Sequence, residues 1–184
     1  DERLSRDWYN QIMEKEYIDS LLSFYKNHRR ILPWREDPTP YHVYISEIML
    51  QQTRVDTVKD YYLRFIAKYP DVDSVAAADI EDLQLLWQGL GYYSRIRNIK
   101  KACEQMKEMF SSSVPDKLSD LLSLPGIGDY TSKAILAIGY QEKYVAVDGN
   151  LLRVFSRLTM SEDDIKDKKT KEKAEAYFLN NLPA

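Results

Sequence analysis

Apolar residues recur at helical spacing along almost the whole chain. In Trp8–Asn27 the stripe runs through Ile12, Tyr17, Leu21, Leu22, Phe24 and Tyr25, a spacing that predicts an amphipathic helix. Pro33, Pro38 and Pro40 then interrupt the pattern. His42–Gln52 predicts a second helix through Val43, Ile45, Ile48, Met49 and Leu50, and Arg54–Tyr69 a third, ended by Pro70. Asp79, with Asp82 three residues on, predicts an N-cap for a short helix ending at Gly89. Further helices are predicted at Tyr92–Phe110, from Pro115 to Leu122, from about Tyr130 to Gly139, at Leu151–Leu158 behind a cap at Asn150, and at Lys168–Asn181. Val145–Val147 is a short strand-like run, but no alternation of period two is long enough to build a sheet. The expected class is all-α, with no repeat or low-complexity tract.

Composition narrows this little. The 184 residues suffice for one sizeable domain or two small lobes, and a hydrophobic content of 44% excludes wholesale disorder. No apolar run approaches bilayer length, and the charged N-terminus, Asp1–Arg6, lacks the apolar stretch of a secretory signal. A start at aspartate instead of methionine points to trimming. The one cysteine, Cys103, can form neither an internal disulfide nor a thiolate metal or iron–sulfur site. It lies in a helical pattern and reads as a buried structural thiol in a reducing, intracellular setting.

Charge adds polarity. The net charge of −3 argues mildly against nucleic acid. Yet Leu83–Cys103 holds no acid, while Arg95, Arg97, Lys100 and Lys101 supply four positive charges. His28, Arg29, Arg30 and Arg35 form a second basic cluster, and acids gather in Ser161–Asp167. A basic face on an acidic body is the expectation.

The segment Leu124–Asn150, LPGIGDYTSKAILAIGYQEKYVAVDGN, carries the densest chemistry. Leu124 and Ile127 can enter the core while Gly126 and Gly128 take conformations closed to other residues. Amides at the start of the following helix would then face a phosphate. The same turn would equally serve as an ordinary joint between two helices. Gly89–Gly91, beside two tyrosines and the basic stretch, is a weaker second case.

Two carboxylates stand out. Glu47 lies on an otherwise apolar helix, where partial burial would raise its pKa and suit it to general-acid work; the alternative is an exposed glutamate on an amphipathic helix. Asp148 follows Val145–Val147 and either caps the next helix or faces a developing cation. One protonated and one ionised carboxyl would suit glycosidic bond cleavage.

These residues resemble the helix-hairpin-helix DNA glycosylases, and among them the MutY-type adenine glycosylases. The matching pieces are LPWR at Leu32–Arg35, SEIMLQQT at Ser46–Thr53, LWQGLGYYSR at Leu86–Arg95, LPGIGDYTSKAI from Leu124, and VDGN at Val147–Asn150. The resemblance implies an all-helical fold of two lobes with a DNA-binding cleft. A lobe of about residues 32–140 would carry the hairpin at 124–128, and residues of about 8–30 and 145–184 would form the second. It implies a monomeric, cytoplasmic, nucleoid-associated bacterial enzyme with no membrane association. That enzyme would flip adenine out of double-stranded DNA, from opposite 8-oxoguanine or guanine, and remove it by hydrolysis. Glu47 would protonate the base and handle the incoming water. Asp148 would stabilise the oxocarbenium ion, and Tyr130 and Asn150 would line the catalytic pocket. Gln52 and Tyr92, helped by Leu50, would wedge into the duplex. Gly126, Gly128, Thr131 and Arg95 would bind DNA, and Trp34 and Arg35 would lie near the flipped base.

Tyr130 occupies the position where endonuclease III-like relatives carry a Schiff-base lysine, which implies a monofunctional enzyme leaving an abasic site. Lys133 is expected at the surface or on a phosphate. Asp129 would place a negative charge beside the hairpin or cap its helix. The family's [4Fe–4S] loop and Nudix-like domain have no counterpart in this sequence; no cofactor or metal is expected within the chain. Two alternatives stand beside this reading: an endonuclease III-like glycosylase/lyase for oxidised pyrimidines, and a truncated, non-catalytic DNA-binding fragment.

Overall fold

A computed structural model of the chain describes residue 16 and residues 18–181. The predicted first helix is therefore seen only in part, and Trp8, Ile12 and Tyr17 lie outside the described residues. Its described portion, α1, is helical over residues 18–28. The following elements are α2 (Pro33–Glu36), α3 (Pro40–Leu50), α4 (Val55–Lys68), α5 (Val72–Ala77), α6 (Ile80–Trp87), α7 (Ser94–Met109), α8 (Leu118–Ser123), α9 (Asp129–Ala134), α10 (Gly149–Thr159) and α11 (Lys168–Asn181). No strand occurs among the described residues, and Val145–Val147 runs without one. The chain divides into two compact units, Leu32–Asp148 and Asp1–Ile31 with Gly149–Ala184.

In the larger unit α3 is the central helix. Tyr41, Val43, Tyr44, Ile45, Ser46, Ile48 and Met49 are all buried, and the helix touches α2, α4, α7, α9 and the turn after α9. It begins two residues before its predicted start. Pro40 is no breaker there, because it opens the helix where its missing N–H is not needed. The Thr39 side chain caps the first turn, accepting from the His42 N–H at 3.2 Å.

Helix α5 has no counterpart among the predicted elements. A capping box holds it, with Asp71 accepting from the Ser74 N–H and the Ser74 hydroxyl engaging the Asp71 backbone; Val72 and Val75 anchor it, and it packs along α7. Asp79 occupies the N-cap position of α6 as expected, but its side chain makes no capping bond. Cys103 is fully buried, and burial pushes its thiol up to about 12.

Leu124 and Ile127 enter the core as expected, but the two hairpin glycines differ. Gly126 has φ +80°, and a Cβ there would stand 2.9 Å from the Asn98 Cβ. Gly128 has φ −102° and ψ −177°, an extended conformation open to any residue, with nothing within 4 Å of its would-be Cβ. After α9 the helix widens into a π turn, Ile135–Gly139, in which the Tyr140 N–H donates to the Ile135 carbonyl at 3.2 Å. In the smaller unit α10 and α11 pack through Phe155, whose ring meets Tyr177 and Phe178 edge-on at 5.6 and 6.5 Å.

Gly126→Ala is expected to destabilise the fold by about 2 kcal/mol through the left-handed backbone and the contact with Asn98, and Gly128→Ala by no more than about 0.5 kcal/mol. Urea denaturation of the two variants checks this difference.

Candidate active site

Glu47 is half-buried on α3, with Ser46 and Ile48 fully enclosed on either side. Burial raises its carboxyl above the ordinary value of 4.5. A hydrogen bond from the Tyr130 hydroxyl and the charge of Arg35 pull it down, and Asp148 pushes it up again. Tyr130, the second residue of α9, is itself raised to about 12 by burial and by the two nearby carboxylates. Helices α3 and α9 and the segment ending at Asp148 thus bring Glu47, Tyr130 and Asp148 into one electrostatic cluster, with the exposed Arg35 as its cation. Asp148 is half-buried on the residue before α10 begins. Asn150 lies inside α10 and is not its cap; its exposed side chain accepts a hydrogen bond from Arg153.

The remaining expected site residues divide. Gln52 and Tyr92 are exposed, each on a loop and each in the left-handed region, at φ 57° and 48°. Leu50 is half-buried against the core, and Gly126 and Gly128 are exposed at the hairpin. Trp34 is 6% exposed and set edge-on to Tyr62, with ring centroids 5.5 Å apart. Thr131 does not reach the surface: it is buried on the inner face of α9.

Arg95 is the larger correction. It is no surface cation but is buried, with both terminal nitrogens bonded to the chain's own backbone carbonyls and to Thr53. Lys100 also turns inward, donating to the Ala76 carbonyl at 2.6 Å and pairing with Glu104. The basic stretch therefore presents Arg97 and Lys101 to solvent, two of its four cations. Lys133, expected at the surface, is buried and lies 3.0 Å from Asp129 on the preceding helical turn. The partners of Arg95 lie mostly in the backbone, up to 47 residues away, where charge pattern alone could not disclose them, whereas the acids paired with Lys100 and Lys133 stand only four residues off.

Among the described residues, no group of three or more His, Cys, Asp or Glu side chains is arranged to hold a metal ion. No helix among them is long and apolar enough to cross a membrane.

A helical fold of two lobes, with a Gly-containing hairpin beside a half-buried glutamate and an aspartate, is the pattern of one class of DNA repair protein. The family described as HhH-GPD superfamily base excision DNA repair protein matches residues 45–179, and the chain belongs to it. It is 40% identical over 142 residues to the adenine DNA glycosylase of Buchnera aphidicola subsp. Baizongia pistaciae, covering 77% of this chain and 40% of that protein. It is likewise 40% identical over 148 residues to the adenine DNA glycosylase of Homo sapiens, covering 76% of this chain and 27% of that one. The chain thus spans less than half the length of these relatives. Among solved structures it resembles a thermostable thymine-DNA glycosylase, with a TM-score of 0.82 and 25% identity over 94% of this chain and 83% of that one. A trapped endonuclease III–DNA covalent intermediate shares the fold, at a TM-score of 0.75 and 22% identity over 95% of this chain and 78% of that one.

The raised pKa of Glu47 has a consequence for stability. Its protonated form is the one the fold favours, so its stabilising contribution is complete below the ordinary value of 4.5 and is lost as pH rises through the folded value. Glu47→Gln mimics the protonated form. Its Tm at neutral pH is expected to exceed that of the unsubstituted chain by a few degrees, a gain that disappears below pH 4.5; calorimetry at both pH values checks it.

Proposed function

We propose that this chain is the catalytic portion of an adenine DNA glycosylase, acting on double-stranded DNA in which adenine stands opposite 8-oxoguanine or guanine. The observation that carries the reading is the cluster of Glu47, Tyr130 and Asp148, in a chain 40% identical to proteins named adenine DNA glycosylase. The flipped adenine enters beside Glu47. The Glu47 carboxyl, favoured in its protonated form by burial, donates its proton to a ring nitrogen, and the C1′–N9 bond breaks with its electron pair leaving on the base. Asp148, as the carboxylate, stabilises the oxocarbenium ion left on the sugar. Water adds at C1′, its proton returns to Glu47, and an abasic site remains. Tyr130 orients the Glu47 carboxyl. Trp34 and Arg35 are assigned to the base side, with Arg35 moderating the charge of Glu47. Gln52, Tyr92 and Leu50 meet the duplex, and the amides at the Gly126–Gly128 turn approach a phosphate.

Monofunctional chemistry follows from two features. Tyr130 offers no amine for a Schiff base. Lys133, three residues on, is buried with its Nζ held 3.0 Å from the Asp129 carboxylate. The endonuclease III-like reading has no comparable support, since the likeness to that enzyme stands at 22% identity and concerns the fold.

The test is incubation with duplexes carrying adenine opposite 8-oxoguanine, or thymine glycol, with and without alkali. Strand breaks at adenine that appear only after alkali are expected. Direct nicking at thymine glycol would refute the reading, and binding without base release would reduce the chain to a DNA-binding fragment. Glu47→Gln and Asp148→Asn are each expected to lower single-turnover base release by at least about a thousandfold, a loss of roughly 4 kcal/mol in transition-state stabilisation, with little change in DNA affinity.

The pH profile supplies a finer check. Base release requires protonated Glu47, so activity falls on an alkaline limb set by its pKa. The Tyr130 hydroxyl lowers that pKa. Tyr130→Phe is therefore expected to move the limb to higher pH, measured by single-turnover rates across the pH range; a shift to lower pH would contradict the assignment.

A further inference from the structure

Gln52 and Tyr92 share an unusual property: both are non-glycine residues with positive φ, at 57° and 48°. Such a conformation is strained for a residue with a side chain and persists only where the surroundings over-determine it. Neither side chain is enclosed; Tyr92 is 59% exposed. The constraint comes from beneath, and for both loops it comes from one group.

Arg95 Nη1 donates to the carbonyls of Ile48, Met49 and Gln51 at 3.0, 2.9 and 2.6 Å. Its Nη2 donates to Thr53 Oγ1 at 3.2 Å and to the carbonyls of Leu90 and Gly91 at 3.1 and 3.3 Å. The residues on both sides of Gln52 and the two residues before Tyr92 are therefore fastened to one planar guanidinium. The rings of Trp87 and Tyr92 each lie 5.4 Å from its central carbon, and the Trp87 indole N–H donates to the Gly91 carbonyl at 3.1 Å. A lysine could not reproduce this, because an ammonium lacks the rigid planar fork that serves both loops at once.

We propose that Arg95 is a positioning residue that couples Gln52 and Tyr92 into a single two-point probe of the DNA duplex. The proposal rests on the reading that these two side chains meet the duplex. Neither acts alone: the separation and aim of the pair are set by the guanidinium beneath them. Loss of either tip then leaves the other unable to hold the duplex open, and the two substitutions are strongly non-additive while Arg95 is present.

A duplex carrying 2-aminopurine opposite 8-oxoguanine tests this, since fluorescence at saturating protein reports base extrusion independently of affinity. Gln52→Ala and Tyr92→Ala are each expected to reduce the extrusion equilibrium about tenfold, and the double variant to do little more than either alone. In an Arg95→Lys background the two effects become additive to within about twofold. Thr53→Val, which removes the bond from Arg95 and the hydroxyl's own bond to the Gln51 carbonyl, both on the Gln52 side only, weakens the coupling partially and serves if Arg95→Lys does not fold. Additive effects with Arg95 in place, or coupling that survives both Arg95→Lys and Thr53→Val, would overturn the proposal. If neither alanine variant affects extrusion, the reading of Gln52 and Tyr92 as duplex contacts fails, and the probe with it. If the unsubstituted chain extrudes no base, the adenine reading fails first, and the probe falls with it.

Discussion

The burial of α3 is the constraint on which the larger unit depends. Seven of its eleven residues are enclosed, so nearly every direction around the helix is committed to a neighbour. Glu47 sits in the remaining direction, and its environment is made by the packing. Desolvation from the surrounding apolar wall raises its pKa, and α9 is close enough to lay the Tyr130 hydroxyl on it. A more exposed helix would carry the same glutamate as an ordinary surface acid. The chemistry assigned to the site is thus a product of how completely this helix is enclosed.

The C-terminal end of the same helix adjoins the loop that carries Gln52. Carbonyls at a helix end lack their full set of intrahelical partners, and here Arg95 donates to those of Ile48 and Met49. One helix therefore links the carboxylate cluster to the loop carrying Gln52. The chemistry and the expected duplex contacts share a rigid element, which holds them in register without a separate device.

Much of this was legible in the sequence, and what escaped did so for identifiable reasons. The periodicity gave the helices and the all-α class, because burial on one stripe leaves a 3.6-residue signature. The partial burial of Glu47 could be anticipated from its apolar neighbours on α3. Helix α5 escaped because at six residues its signal is a capping box, Asp71 to Ser74, with too few apolar positions to show a period. The two hairpin glycines look equivalent in the sequence, and only the backbone angles separate Gly126 from Gly128. Arg95 escaped for a deeper reason. A charged residue's sequence shows that it carries charge but not what answers it, and the groups answering Arg95 include main-chain carbonyls up to 47 residues away.

Cys103 gains significance in this setting. Oxidants attack cysteine as the thiolate, and solvent access controls their approach. This thiol is fully enclosed, and burial pushes its pKa up to about 12, so at neutral pH it is held almost wholly as the inert, protonated form. A protein proposed to work on oxidised DNA must operate amid the agents that damaged that DNA. Cys103 is placed where those agents find neither an anion to react with nor a path to it.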